Sequence, residues 1–325
     1  MSRRLPEVSS WLDHVAVPFE PPGLVPGLRE AAVVGLAAAI RTTRELNLAT
    51  HAIARSLVLH AGFRAVYLEG TIDTGAGLDR YVTTGAGDPF RLVRASQGFV
   101  RTAETLEFVR WLREYNVEHP DDPARVVHAD DDPAPVSLAA VEDHLADVDL
   151  RWRERTGSSI VHLGGMTHMI VGDPRTLSPY SQTGRSAGAV LRGALGVDYH
   201  AIALTAGSGH APLPVPEVPE DFFESALDRL PLPSLMLPLR VGAAAPPAVS
   251  RWLRTPLRIR CVGPNYDPER AADFHLTAGP TNEAIDTIVH IQRVTPTSPL
   301  LDPSGTAPAR VSRARTSGSR ALEPR

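Results

Sequence analysis

Short, almost uninterrupted apolar runs set the main constraint on how this chain folds. Their residues are mostly apolar instead of alternating with polar ones, a pattern typical of strands buried on both faces of a sheet. Longer amphipathic segments separate the runs, which predicts an α/β fold built on a mainly parallel sheet flanked by helices. The runs predicted as strands are Ala32–Leu36, Ala65–Glu69, Arg125–Ala129, Ser159–Leu163, His200–Thr205, Leu257–Val262 and Ile285–Val294.

Helices are predicted in the amphipathic segments. In one of them Leu106, Val109 and Leu112 lie at helical spacing, and Glu104 falls in the first turn, where a negative charge is favourable. The predicted helices are Thr43–Ala61, Thr102–Asn116, Leu138–Arg155 and Ser186–Leu195.

The composition limits the classes of function. Hydrophobic residues make up 43% of the 325 residues and charged residues 22%, as is ordinary for a soluble globular protein. A net charge of −4 gives no general attraction to nucleic acid or to an anionic membrane. All 33 basic residues are arginine, which excludes Schiff-base chemistry and a P-loop lysine and indicates a bacterium with a GC-rich genome.

The predicted location is the cytoplasm. A lone cysteine, Cys261, cannot form an intramolecular disulfide, and its apolar surroundings indicate a buried side chain instead of a nucleophile. No apolar segment has the length or flanks of a signal peptide or a transmembrane helix. The expected partner is a small-molecule substrate, without nucleic acid or membrane, and the sequence does not indicate an oligomeric state.

Residues 1–300 are predicted to form a single α/β domain. Within it, residues 211–249 are rich in proline, which favours loops and sheet edges, and Glu217–Leu230 is predicted as a short helix. Residues 301–325 contain five arginines and few apolar residues, so a disordered tail is predicted there.

Several sequence blocks occur in the order that is found in one enzyme family. The first block combines the strand Val33–Leu36, the tripeptide Thr43-Arg44-Glu45 and the segment Gly62–Glu69. The later blocks are Thr102–Glu104, Trp111–Asn116, Ile160–His168, Gly188–Tyr199 and Ile285–Ile291 followed by Thr295-Pro296. In order and spacing, these blocks over residues 24–296 resemble the erythromycin esterases.

This resemblance implies an erythromycin-esterase-like fold with its active site at the strand ends. Members of that family usually carry a long helical insertion between the positions of Asp131 and Ile160. Fewer than thirty residues lie between these two positions here, so the helical cap is predicted to be reduced.

The resemblance also implies that the usual catalytic motif is missing. In the family, a glutamate and a histidine after the first strand hold a water against a lactone carbonyl, and Ala38 and Arg41 occupy these positions here. Neither side chain accepts a proton at neutral pH. In the second motif, Gly165 and Met166 replace a histidine and an asparagine, and His168 is retained.

The charged residues that remain at strand ends form the predicted site. Glu69, His168 and Arg41 are predicted to be catalytic, because the carboxyl ends of strands form the ligand crevice of open α/β sheets. The predicted substrate-binding residues are Arg44, Glu45 and Asp131. No metal and no other cofactor is predicted, because a single histidine among scattered carboxylates lacks the spacing of a zinc site.

Structural alternatives stay open for these residues. Glu69 can form an ion pair with an arginine, and Asp131 can belong to an acidic turn. Arg44 and Glu45 can form a solvated helix start. His162 and His290, in the middle of strands, are predicted as core residues.

Three functions fit this sequence. The favoured one is a non-hydrolytic reaction (cyclisation, dehydration or acyl transfer) on a small polyketide- or peptide-like substrate of bacterial specialised metabolism. The second is residual hydrolysis of an ester or lactone by Glu69 and His168, and the third is ligand binding without catalysis. A different glutamate–histidine couple at bonding distance in the crevice would make ester hydrolysis the leading hypothesis.

Overall fold

Strands and helices alternate along the chain as the apolar runs predict. The computed structural model describes residues 6–20, 28–129, 137–240, 245–263 and 265–301. The strands are β1 (Val17–Pro18), β2 (Val33–Ala38), β3 (Ala65–Leu68), β4 (Arg125–Val126), β5 (Ile160–Gly165), β6 (Arg175–Leu177), β7 (Gln182–Gly184), β8 (Tyr199–His210), β9 (Pro214–Val215), β10 (Ser234–Pro238), β11 (Pro256–Arg260), β12 (His275–Pro280) and β13 (Thr287–Val294). The helices are α1 (Pro6–Val15), α2 (Arg44–His60), α3 (Gly75–Thr84), α4 (Pro89–Ala95), α5 (Ala103–Glu118), α6 (Leu138–Thr156), α7 (Met166–Met169), α8 (Ala187–Leu195), α9 (Pro247–Leu253) and α10 (Thr281–Ala284).

Six parallel strands form the centre of the main sheet, in the order β13-β8-β2-β5-β3-β4. At the end of β2, Ala38 lies beside Leu204 of β8 on one side and Gly165 of β5 on the other. Val33 and Leu36 of β2 are completely buried, which explains why this strand is apolar on both faces. The predicted α/β fold with a mainly parallel sheet flanked by helices is confirmed.

Antiparallel strands complete the architecture at the margins. In the main sheet β10 pairs with β13, β1 pairs with β10, and β9 pairs with the end of β8. Strand β10 lies in the proline-rich region, and it occupies a position near the sheet edge, where prolines are tolerated. A separate antiparallel sheet has the order β11-β12-β6-β7.

The apolar run Leu257–Val262 is a strand, but it does not join the parallel sheet. Its residues belong to β11, which pairs antiparallel with β12 in the second sheet. An apolar run indicates that a strand is buried, but it does not indicate which strand it pairs with. The sequence therefore does not show which of the two sheets this strand joins.

Six helices, α1, α3, α4, α7, α9 and α10, are absent from the sequence-based prediction. The short helix predicted at Glu217–Leu230 is instead a single 3-10 turn at Phe223–Ser225 followed by further turns. The other 3-10 helices in the described part of the chain are Leu28–Glu30, Gly196–Asp198 and Pro268–Asp273.

The interval in which a reduced cap was predicted holds the helix α6. This helix begins after Ser137, whose hydroxyl accepts a hydrogen bond from the Ala140 amide, and ends at Gly157 in a left-handed conformation. Asp131 and the predicted tail beyond Leu301 lie outside the described residues. The assignment of residues 1–300 to a single domain stays a prediction. In the described part of the chain, no helix has the length and apolar character that crossing a membrane requires.

Gly35, in the middle of β2, gives a test of the central packing. A Cβ at this position would lie 3.1 Å from the Tyr199 ring carbon that carries the hydroxyl and 3.3 Å from the Cβ of Met169. We expect Gly35→Ala to lower the free energy of unfolding by about 1–3 kcal/mol, because the core has no room to relax. Gly193→Ala, in α8 with open space around it, is the control and should be neutral or stabilising by up to about 1 kcal/mol. Urea unfolding measures both variants, and equal losses of stability would contradict the packing described here.

Candidate active site

Three parallel strands end side by side and bring the predicted catalytic residues together. Strands β2, β5 and β3 are neighbours in the sheet, and their carboxyl ends lie at the same edge. Arg41 follows β2, Glu69 follows β3, and His168 lies in the short helix α7 directly after β5. The structure therefore places these three side chains in one cluster, as the sequence predicted them to converge.

Arg41 and Glu69 form the centre of this cluster. The guanidinium of Arg41 donates one hydrogen bond from Nη1 to Oε1 of Glu69 and a second from Nη2 to the Glu69 carbonyl, at 3.0 Å. The Arg41 guanidinium carbon also lies 3.5 Å from the centre of the Phe99 ring, within the range of a cation–π contact. These contacts on two sides fix the plane of the guanidinium.

Glycines at the end of β5 let the backbone approach the Glu69 carboxylate. The Gly165 amide donates a hydrogen bond of 2.8 Å to Oε2 of Glu69. A Cβ at Gly164 would lie 2.7 Å from Cγ of Met169, 3.0 Å from the same Glu69 oxygen and 3.2 Å from Cδ2 of His162. A side chain at Gly164 would therefore press on the carboxylate, so the close approach depends on glycine.

Glu69 is held in its ionised form. Burial by itself raises the pKa of this carboxyl group, but the charges of Arg41 and His168 and the Gly165 hydrogen bond outweigh burial and lower the pKa to about 2. A carboxylate with so low a pKa is a weak general base. The role that this geometry gives to Glu69 is to position Arg41.

His168 lies between two carboxylates. Its Nδ1 is 2.9 Å from Oε1 of Glu142, and its Nε2 is 3.9 Å from Oε1 of Glu69, which is beyond hydrogen-bonding distance. Burial favours the neutral imidazole, but the Glu69 charge and the Glu142 hydrogen bond outweigh it and raise the pKa of His168 above its ordinary value. The imidazole is thus oriented through one nitrogen, and its other nitrogen stays available.

Glu142 is a site residue that the sequence analysis missed. Its Oε1 also accepts a hydrogen bond from Arg175, and its Oε2 accepts one of 2.8 Å from the Ala187 amide. Glu142 lies in the first half of α6, and neither a motif nor a strand end marks it in the sequence. Because a helix turns by 100° per residue, only the packing of α6 against β5 and α8 decides which of its carboxylates faces the site.

A cleft of about 670 Å³ opens beside this cluster, a volume within the range of small-molecule sites. Ala38, Arg41, Glu69 and His168 belong to its lining. The rest of the lining is predominantly apolar and includes Phe99, Val141, Leu145, Met166, Leu177 and Val262.

The predicted substrate-binding residues Arg44 and Glu45 do not line this cleft. The Glu45 carboxylate accepts hydrogen bonds of 2.6 Å from the amide and the hydroxyl of Thr295, and the Arg44 amide donates to the Thr295 carbonyl. The two residues thus tie the start of α2 to the segment after β13. This is a structural role at a helix start and not a contact with the cleft. The third predicted residue, Asp131, lies outside the described residues.

Other candidate groups lie in the core. His162 Nδ1 is 2.7 Å from Oδ2 of Asp149, and both side chains are completely buried. His290 is also fully buried and lies 2.9 Å from the Thr205 hydroxyl. Cys261 touches the cleft, but burial raises the pKa of its thiol to about 12, which makes it a poor nucleophile.

Metal binding finds no support in this arrangement. Over the residues that the structure describes, no group of three histidine, cysteine or acidic side chains is placed to hold a metal ion.

The sequence profile of the protein family described as erythromycin esterase matches residues 58–169 and 144–294 of the chain. A comparison with curated protein sequences finds no significant relative.

Solved structures resemble the chain over most of its length. A Bacillus cereus protein has 16% identity and a TM-score of 0.69, with 90% of this chain and 98% of that protein covered. A protein described as a succinoglycan biosynthesis protein has 14% identity and a TM-score of 0.73, covering 92% and 99%. An open conformation of a histidine-to-asparagine mutant of the erythromycin esterase EreC has 14% identity and a TM-score of 0.59, covering 84% and 93%. At these identities the likeness concerns the fold alone.

The protonation of His168 gives a direct test of the site. We expect the His168 imidazole to titrate above the ordinary histidine pKa, and Glu142→Gln to lower this pKa because the hydrogen-bonded negative charge is removed. NMR titration of the imidazole signals measures the pKa. Asp143→Asn is the matched control, since Asp143 is exposed and pairs with Arg185 instead, and it should leave the His168 pKa unchanged. An unchanged His168 pKa in Glu142→Gln would contradict the described coupling.

Proposed function

Because the chain belongs to the erythromycin esterase family, we propose that it hydrolyses an ester or lactone bond of a small molecule in the cleft. The observation that carries this proposal is the Glu142–His168 couple. Glu142 binds His168 through Nδ1 at 2.9 Å, while Nε2 points away from that bond and has no hydrogen-bond partner among the described residues. A histidine oriented by a carboxylate through one nitrogen is the arrangement of many general bases.

The proposal replaces the non-hydrolytic reaction that the sequence favoured. That preference rested on Ala38 and Arg41 standing where relatives have a glutamate and a histidine. Glu142 of α6 and His168 form a carboxylate–histidine pair from other parts of the chain than the missing motif. The missing motif is then no argument against hydrolysis.

In the proposed reaction, neutral His168 takes a proton from a water as the water attacks the carbonyl carbon. Glu142 stabilises the imidazolium that forms. His168 then returns the proton to the leaving alkoxide, so that one ester and one water give one acid and one alcohol.

Arg41 fits the role of oxyanion stabilisation. Two of its five N–H bonds go to Glu69, and its fixed plane borders the cleft next to His168. A preorganised cation near the reacting carbonyl favours the tetrahedral intermediate over the neutral ester. Glu69 contributes by holding Arg41, and it need not accept a proton.

Non-hydrolytic chemistry is the second candidate, and the raised pKa of His168 favours it. A protonated His168 can donate a proton to a substrate carbonyl while a hydroxyl of the same substrate attacks. The proton released by that hydroxyl then returns to His168, which completes a cyclisation without a further reactant. The substrate class predicted from the sequence, a small polyketide- or peptide-like compound, suits the size and the apolar lining of the cleft under both candidates.

The pH dependence of turnover separates the two candidates. For hydrolysis with His168 as base, we expect kcat/KM on a panel of p-nitrophenyl esters and lactones to rise with pH through the raised pKa of His168. His168→Gln should lower kcat/KM by roughly 10²–10⁴-fold, and Asp143→Asn should leave it unchanged. An activity that falls as pH rises through that pKa would favour the second candidate. Full hydrolysis by His168→Gln would refute the assignment of the base.

A further inference from the structure

The charges of the ion-pair cluster beside the cleft do not cancel among themselves. Three basic groups, Arg41, His168 and Arg175, share two carboxylates, those of Glu69 and Glu142. With His168 protonated, the cluster carries one excess positive charge. An excess charge next to an apolar, partly enclosed space attracts a counterion more strongly than the same charge in water does.

Among the charged groups that line the cleft, Arg41 and His168 keep free donors; the Tyr180 hydroxyl and Nε2 of His144, also in the lining, have no hydrogen-bond partner among the described residues either. Glu69 has both oxygens engaged, by Arg41 and by the Gly165 amide, so it competes weakly for further donors. Within the described residues, three N–H bonds of Arg41 and the Nε2–H of His168 make no hydrogen bond. Arg175, in contrast, is only 1% exposed and serves Glu142.

From this arrangement we propose that the cleft binds free monocarboxylates with an apolar tail, the carboxylate on Arg41 and His168 and the tail against the apolar lining. The inference concerns binding and holds whether or not the chain hydrolyses esters. If the chain does hydrolyse esters, the acid product belongs to this ligand class. The product then stays bound in the cleft and inhibits the hydrolysis.

A monocarboxylate fits better than other anions of similar size. Its single charge matches the single excess charge of the cluster, and its planar pair of oxygens suits the guanidinium fork. A phosphate monoester approaches two negative charges near neutral pH, and its second charge would lie close to Glu69 without a partner. The tail contributes through the apolar lining, at about fourfold in affinity for each methylene that is buried.

Binding should weaken as the pH rises. The groups that face His168 are Glu69 after β3, Arg41 after β2, and Glu142 on α6, and Arg175 on β6 reaches it through Glu142. Loss of the His168 proton removes the excess charge, because the remaining two cations and two carboxylates cancel.

Isothermal titration calorimetry of the full chain with octanoate tests the proposal. At pH 6 we expect octanoate to bind at least tenfold more tightly than octanamide, and also more tightly than acetate or octyl phosphate. Octanoate affinity should fall about tenfold by pH 9. Equal binding of octanoate and octanamide, or tighter binding of octyl phosphate, would overturn the proposal.

Variants then locate the carboxylate. Arg41→Lys keeps the charge beside Glu69 but loses the fork, and it should weaken octanoate at least fivefold. His168→Gln should remove most of the pH dependence, while Arg185→Gln, on the surface, should change neither affinity nor pH dependence. Unchanged octanoate affinity in Arg41→Lys and unchanged pH dependence in His168→Gln would place the anion elsewhere and contradict the proposal. Calorimetry measures binding without turnover. A protein that binds octanoate but cleaves no ester would therefore refute the proposed hydrolysis and leave the binding proposal standing.

Discussion

The ion pair between Arg41 and Glu69 organises the end of the sheet. It joins the segment after β2 to the segment after β3, and the Gly165 amide attaches the end of β5 to the same carboxylate. A charge that is this deeply buried is stable only with such partners, because a lone carboxylate would pay the full cost of desolvation. The positions of His168 and of the cleft follow from this three-strand junction.

The charged groups at this junction differ in their partners and in their protonation. Glu69 has a pKa of about 2 and stays ionised as the anchor of Arg41. His168 is coupled to a second carboxylate, Glu142, through Nδ1, and its Nε2 lies 3.9 Å from Oε1 of Glu69 without a hydrogen bond. The anchoring of Arg41 and the proposed proton transfer therefore involve different carboxylates, although the charges of both act on His168.

Much of the fold, but less of the site, is predictable from the sequence. Strands such as β2 and β5 are visible because burial on both faces leaves an apolar run, and Glu69 and His168 are visible because they follow such runs. Strand β11 pairs with the next strand along the chain, β12, and apolar content alone does not show which strand an apolar run pairs with. Glu142 is invisible for a related reason, since it reaches the site through the packing of a whole helix. Arg44 and Glu45 follow β2 closely, but their side chains or amides are used by Thr295.

The two glycines at the end of β5 have a consequence for how such a pocket diversifies. Gly164 leaves no space for a side chain beside Glu69, and Gly165 contributes a main-chain amide that no substitution can remove without proline. One support of the Glu69 carboxylate is thus supplied by backbone, and few side chains fit beside it at the end of β5. New ligand preferences are more accessible through α6 and the second sheet, whose side chains border the same space and carry no part of the three-strand junction.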